Sequence, residues 1–262
     1  MMMGSVMMLL EERKNKIMNL LKVNGKVTSK ELSEQLHVSE VTIRSDLKRL
    51  EAEQMLKRVH GGAIKMKPEL FDPRFQEQIA VDKEEKREIG KKAISFVDKN
   101  DVIFVDAGSS TLFFVEELVK APPLNITVVT NSLYVINEIV QYGDIRLIVL
   151  GGMFYKKSLN FLDLDMSPLL TKYNVNRIFL GVNGLDEKGI YSTSNIEARI
   201  NKELYSTNAE IFILASSSKF FKRSLILINE WQGREKIITS DQNKNENERL
   251  NILKQEKSLE IF

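Results

Sequence analysis

Residues 105–111 read VDAGSST, and they place one carboxylate, Asp106, one glycine, Gly108, and three hydroxyls, Ser109, Ser110 and Thr111, directly after the apolar run DVIF. A glycine lets backbone amides come close to a bound anion, hydroxyls donate hydrogen bonds, and a helix that starts there adds free N–H groups. Such a stretch suits a phosphate. Similar groups follow later apolar runs: Thr130, Asn131 and Ser132; Gly151 and Gly152; Gly181, Asn183 and Gly184; and Ser216, Ser217, Ser218 and Lys219, the last of which brings a cation. Singly, each is an ordinary turn or cap. Five in succession point to one shared cleft.

The chain has no cysteine and two histidines, His37 and His60, both in its first quarter. This excludes disulfides, thiolate metal sites and cysteine nucleophiles, fits a reducing cytoplasm, and leaves the later stretches without an imidazole for proton transfer. No metal and no cofactor are expected. With no apolar run of about 18 residues, a membrane span is not expected either.

The elements that position these residues alternate in character. The runs DVIFVDA, NITVVT, IRLIVLGG, NRIFLGV and EIFILAS read as strands, and STLFFVEELVK, NSLYVINEIVQ and SNIEARINKELYS read as helices between them. This alternation predicts a Rossmann-like, mainly parallel α/β domain, with the polar stretches at the carboxyl ends of its strands, where ligands of such folds bind.

A different chemistry opens the chain. Residues 11–23 have a helical apolar spacing closed by Asn24-Gly25, and TSKE at residues 28–31 matches a capping box. A second short helix ends near His37, and Ser39 is a good N-cap for a third, EVTIRSDLKRLEAEQ. Rotation at about 100° per residue puts Ile43, Leu47 and Leu50 on one side of that third helix and Val41, Arg44, Ser45, Lys48 and Arg49 on the other, with Thr42 at the flank. MLKRVHGGAIK then reads as a β ribbon turning at Gly61-Gly62, with Lys57 and Arg58 placed to grip phosphates; His60 fits a contact or a structural role at the turn. The pattern predicts a winged helix-turn-helix whose third helix lies in a major groove, although a solvated charged face would look the same in isolation. Charge agrees: residues 1–67 hold 13 Lys and Arg against 8 Asp and Glu, whereas residues 68–262 hold 25 against 28. A basic head suits a polyanion.

The organisation expected is therefore a loose segment over residues 1–10, the DNA-binding domain over 11–66, a linker over 67–82, and the α/β domain over 83–262. No motif is evident in the tail SDQNKNENERLNILKQEKSLEIF.

VSEVTIRSDLKRLEAEQMLKRVHGGA resembles the signature of the DeoR family of bacterial transcription regulators, and VDAGSST, VVTNS, LGG, FLGVNGLD, EARINK and ASSSKF resemble pieces of that family's sensor domain, itself similar to ribose-5-phosphate isomerases. The resemblance implies an oligomeric, cytoplasmic repressor of carbohydrate genes that binds duplex operator DNA and is controlled by a phosphorylated sugar or related metabolite. It implies DNA contacts from Thr28, Ser39, Thr42, Arg44, Ser45, Lys48, Arg49, Lys57 and Arg58. The implied effector contacts are Asp106, Gly108, Ser109, Ser110, Thr111, Asn131, Ser132, Gly152, Asn183, Glu197 and Lys219. Four positions depart from the family pattern: Ser45 stands for a usual arginine, Ser216 for aspartate, Asn201 for lysine and Asn160 for glycine. The enzymatic alternative, a sugar-phosphate isomerase, needs a base among Asp106, Asp186 and Glu197, and Asn183 is uncharged where related enzymes are rich in acids.

Overall fold

A computed structural model describes residues 10–53, 55–65, 73–121, 125–156, 158–163, 166–246 and 250–262, which fall into two compact units divided after Leu70. The first unit contains α1 (Leu10–Asn24), β1 (Lys26–Thr28), α2 (Ser29–Leu36), α3 (Glu40–Ala52), β2 (Leu56–Val59) and β3 (Gly62–Lys65). Its core is Ile17 and Leu21 from α1, Leu32 and Leu36 from α2, Ile43, Leu47 and Leu50 from α3, and Leu56 and Ala63 from the hairpin.

Local signals fix the helix ends. Thr28 Oγ1 accepts from the Glu31 amide at 3.2 Å while Glu31 Oε2 accepts from the Thr28 amide at 3.0 Å, the reciprocal capping box expected of TSKE. At its other end α2 stops at His37, whose φ of 55° lies in the left-handed region. Two features were not evident beforehand. Strand β1 joins the wing as its third strand in the order β1-β3-β2, with Val27 paired to Ala63. Three residues are too few to display alternation, and the strand comes so near that a Cβ on Gly62 would lie 2.0 Å from the Val27 carbonyl oxygen. The other is a buried ion pair in which Arg13 Nε and Nη2 donate to Asp46 at 2.8 and 3.1 Å, tying α1 to α3.

The second unit contains α4 (Pro73–Ala80), α5 (Lys83–Ile94), β4 (Val102–Val105), α6 (Ser109–Leu118), β5 (Thr127–Thr130), α7 (Leu133–Tyr142) and β6 (Arg146–Val149). A hairpin of β7 (Met153–Tyr155) and β8 (Asn160–Leu162) follows, then α8 (Met166–Lys172), β9 (Arg177–Gly181), β10 (Gly184–Leu185), β11 (Gly189–Ser192) and α9 (Asn195–Leu204). The chain closes with β12 (Glu210–Leu214), β13 (Ile226–Glu230), β14 (Glu235–Ile238), α10 (Asp241–Glu246), α11 (Leu250–Lys257) and β15 (Glu260–Ile261). Seven strands form one parallel sheet in the order β15-β14-β12-β9-β4-β5-β6. Phe179 in its centre stacks on Phe114 at 4.3 Å and on Phe212 at 5.0 Å.

The five expected strands all belong to this sheet. Strands β14 and β15 extend it, and the tail that carries no motif is structural: it supplies β15, whose Ile261 pairs with Ile237 of β14, and it buries Leu250 and Leu253 in the core. A second correction concerns residues 73–80, which are helical where a linker was expected. Pro73 is the first residue of α4, a position that needs no N–H, and Ile79 joins Leu112, Phe113, Tyr134 and Leu159 in a satellite apolar cluster. A helix of eight residues is too short to show its period clearly. Residues 1–9 and 66–72 lie outside the described residues.

Candidate nucleic-acid interface and effector cleft

Helix α3 begins at Ser39, whose Oγ accepts from the Thr42 amide at 3.2 Å and lies 2.9 Å from Thr42 Oγ1. Its exposed stripe is Val41, Arg44, Ser45, Lys48 and Arg49, and the buried stripe is Ile43, Asp46, Leu47 and Leu50. Arg44 reaches Glu40 at 3.0 Å, Arg49 reaches Glu53 at 3.5 Å, and on the wing Arg58 reaches Glu51 at 3.8 Å. Exposed pairs like these contribute about 0 to 1 kcal/mol, so phosphates can displace the carboxylates at little expense. Lys48 and Lys57 are exposed as well. Thr28 Oγ1 accepts one capping bond, which leaves its hydroxyl proton for a phosphate, whereas the Ser39 hydroxyl also shares a hydrogen bond with Thr42 Oγ1 in which either oxygen can donate. Ser45 stands between Arg44 and Lys48 on the outer face, so the missing arginine thins the charge at the middle of the stripe. His60 is exposed beside Gly61, which turns the wing at φ 82°.

In the second unit the chain runs outward from β4 through β5 to β6 and then returns to lay β9 on the other side of β4. The reversal opens a crevice beyond the carboxyl ends of β4 and β9, the switch point at which ligands bind in open α/β sheets. A cleft of about 320 Å³ is found there. Asp106, Gly108, Ser109, Ser110, Asn131, Asn183, Glu197 and Lys219 all line it, as the strand-end argument expects. Two of the lining glycines pack closely, since a Cβ on Gly108 would lie 3.4 Å from the Gly181 Cα. At the start of α6 the first amides lack intrahelical acceptors and form a natural anion site.

Three expected contacts lie elsewhere. Thr111 is fully buried, and its Oγ1 bonds the Gly108 amide at 2.9 Å and the Asp106 carbonyl at 2.8 Å, so it shapes the loop from behind. Ser132 is the buried N-cap of α7, and Gly152 is an exposed turn at φ 123° whose Cβ would meet Leu162 O at 2.5 Å. None of these three lines the cleft. Several lining residues were not singled out: Gln78 from α4, Tyr155 and Ser158 from the β7-β8 hairpin, and Tyr191, Ser192, Thr193 and Ser194 from the β11-α9 corner. Only the cluster TSNIE carried a visible polar signal for this corner. Asn160 and Asn201, two of the departures, also line the cleft.

The electrostatics are those of a mixed polar site. Burial pushes the Asp106 carboxyl up to about 7; the Ala107 and Gly181 amides oppose this, and the negative charge of Glu197 adds to it. Asn131 donates through Nδ2 to the Phe161 carbonyl at 3.0 Å, which fixes the amide orientation, and its buried Oδ1 has no hydrogen-bond partner among the described residues. Asp186 is different. Burial tends to raise it, but hydrogen bonds from Arg223, the Lys188 amide and Tyr191 hold it below the usual carboxylate range, and it does not line the cleft.

Lys219 is positioned by a loop pinned to α5. Ser216 Oγ donates to Asp82 at 2.8 Å, Ser218 Oγ bonds the same carboxylate, and Ser217 donates through its amide and Oγ to Glu85 at 2.7 and 2.6 Å. Ser216 therefore faces Asp82 and not the cleft. Lys86, 1% exposed, donates to the carbonyls of Gln78 and Val81 at the end of α4, both at 2.5 Å. Burial and the nearby Lys219 charge bring the Lys86 ammonium down to about 8, and burial lowers Lys219 too.

A winged helix-turn-helix unit with a cationic outer helix, joined in one chain to an α/β unit with a polar switch-point cleft, defines a DNA-binding regulator that carries a small-molecule sensor. Residues 13–69 match the DeoR-like helix-turn-helix domain and residues 81–241 the DeoR C-terminal sensor domain. The chain belongs to the DeoR family of transcriptional regulators. It is 29% identical to the HTH-type transcriptional regulator IolR of Bacillus subtilis over 83% of this chain and 86% of that one. It is 30% identical to the lactose phosphotransferase system repressor of Lactococcus lactis over 88% of this chain and 91% of that one. Among solved structures, ribose 5-phosphate isomerase A of Methanocaldococcus jannaschii resembles it at 22% identity and a TM-score of 0.39, over 52% of this chain and 54% of that one. Among the described residues no helix is long and apolar enough to cross a membrane, and no group of three acidic or histidine side chains is placed to hold a metal.

Proposed function

We propose that the protein represses a carbohydrate operon and that a phosphorylated sugar in the cleft sets its affinity for the operator. The observation that carries this reading is one cleft combining a cation, Lys219, the amides that open α6, and the unpartnered acceptor Asn131 Oδ1. A phosphate satisfies the first two and a sugar hydroxyl the third, because a buried acceptor without a donor costs about 1 to 3 kcal/mol. The relative named as a lactose phosphotransferase system repressor supports a carbohydrate operon as the target and the negative sign of control.

On the DNA side, Arg44, Lys48 and Arg49 face the major groove, with Lys57 and Arg58 on flanking phosphates. A homo-oligomer presents two such helices about 34 to 36 Å apart. Helix α4 offers a route for coupling: Gln78 lines the cleft, and Lys86 and Asp82 tie the end of α4 to the loop that carries Lys219. A ligand that prefers one arrangement of these groups shifts the equilibrium by its differential affinity, about 1 to 3 kcal/mol or 5- to 150-fold in operator occupancy.

Binding without turnover fits a cleft whose lining includes neither a histidine nor Asp186. The isomerase reading keeps one observation in its favour, an Asp106 carboxyl near neutrality beside Glu197. A single experiment separates them. Fluorescence anisotropy on the promoter next to its own gene, with and without a panel of phosphosugars, should show tight binding released by one of them; an unbound promoter together with steady conversion of ribose 5-phosphate would overturn the regulator.

A further inference from the structure

Val41 stands out on the recognition helix. It is the second residue of α3 and 75% exposed, whereas the other large apolar side chains of that helix, Ile43, Leu47 and Leu50, are at most 2% exposed. Positions 41, 44, 45 and 48 follow the spacing of one helical face, so Val41 heads the stripe that continues through Arg44, Ser45 and Lys48. It takes no part in the cluster that holds the unit together. Among the described residues of this unit, no apolar cluster accounts for a valine there.

Residues at the amino-terminal end of a recognition helix meet base edges, and the major groove offers one apolar group, the C5 methyl of thymine. Valine is suited to it. Its β-branch leaves essentially one rotamer in a helix, so little freedom is lost when a methyl packs against it. Of the flanking polar side chains, Thr42 is tied to Ser39. We infer that Val41 is a sequence-reading residue that packs on a thymine methyl group in each half-site, an inference that rests on α3 lying in the major groove as proposed above.

The test is a cycle in which valine and methyl are removed separately and together. Full-length protein selects duplexes from a randomised pool, each thymine of the selected site is replaced by uracil in turn, and affinities are measured at fixed salt for the native chain, Val41→Ala and Val41→Thr. At one position per half-site, loss of the methyl should weaken the native protein about 3- to 5-fold, the worth of one buried methyl group. The same replacement should change Val41→Ala by less than about 1.5-fold, with Val41→Thr in between. An equal loss in all three proteins, or no position sensitive to the methyl, overturns the inference while leaving DNA binding intact. Failure of the native chain to select any duplex removes the major-groove reading itself. Because position 41 is exposed, unchanged melting temperatures are expected, and they confirm that the variants are folded.

Discussion

The two binding regions are built in opposite ways. On α3 the cationic residues Arg44, Lys48 and Arg49 are near neighbours in sequence and exposed, with Arg44 and Arg49 each paired to a carboxylate four residues away. The cleft draws its lining from residues spread between Gln78 and Ile228, and several of its polar groups are buried. A surface for a polyanion needs charge on one helix face, which local periodicity supplies. A site for a small ligand needs dry, convergent polar groups, which only a fold can assemble.

The comparison can be broken most forcefully through what holds the interface in shape. Arg13→Ala should destabilise the first unit by about 3 to 5 kcal/mol, since it leaves Asp46 charged and buried without its bidentate partner. Urea unfolding followed by circular dichroism measures this, and a loss under 1 kcal/mol would show that α1 is held to α3 by apolar packing alone.

Next come the two cations that do different jobs. Arg44→Ala should weaken operator binding by about 1 to 3 kcal/mol at fixed salt if the guanidinium leaves Glu40 for a base. Lys219→Ala should leave operator affinity in place and abolish the response to the effector, a loss of the 5- to 150-fold coupling expected of about 1 to 3 kcal/mol. Anisotropy titrations with and without the phosphosugar read both. A variant that exchanged these phenotypes would merge the two regions that the structure keeps separate.

The mildest effect is one of slope. The Asp106 pKa lies near 7 in the folded chain and near the ordinary carboxylate value of about 3.9 when unfolded, so its favourable share of stability is present below the unfolded value and is lost as pH rises through 7. The melting temperature of Asp106→Asn should therefore fall less between pH 5 and pH 8 than that of the native chain. Parallel curves would mean that the carboxyl stays ionised across this range.

Much of this was legible beforehand, for reasons that differ by element. The capping box at Thr28, the cap at Ser39 and the 3.6-residue spacing of Ile43, Leu47 and Leu50 are local, and they appear as read. Eight of eleven expected effector contacts line the cleft because each polar stretch follows a strand of one parallel sheet, so that all of them reach the same edge. Thr111 and Ser132 were misjudged because a hydroxyl that caps a helix and one that awaits a ligand look alike in a string of letters. The helix over Pro73–Ala80 and the strands β14 and β15 were not legible because elements of eight, four and two residues are too short to display a period.

The amino-acid sequence alone determined the class of both units, the outward face of α3 and the strand ends at which a ligand would be met, since these follow from spacing along a helix or strand. Only the tertiary structure decided that Gln78 and the β7-β8 hairpin help to wall the cleft, that Ser216 turns to Asp82, and that Asn131 keeps an unanswered acceptor. Each of these depends on groups brought together from distant parts of the chain, and packing, not periodicity, sets which polar atoms find a partner.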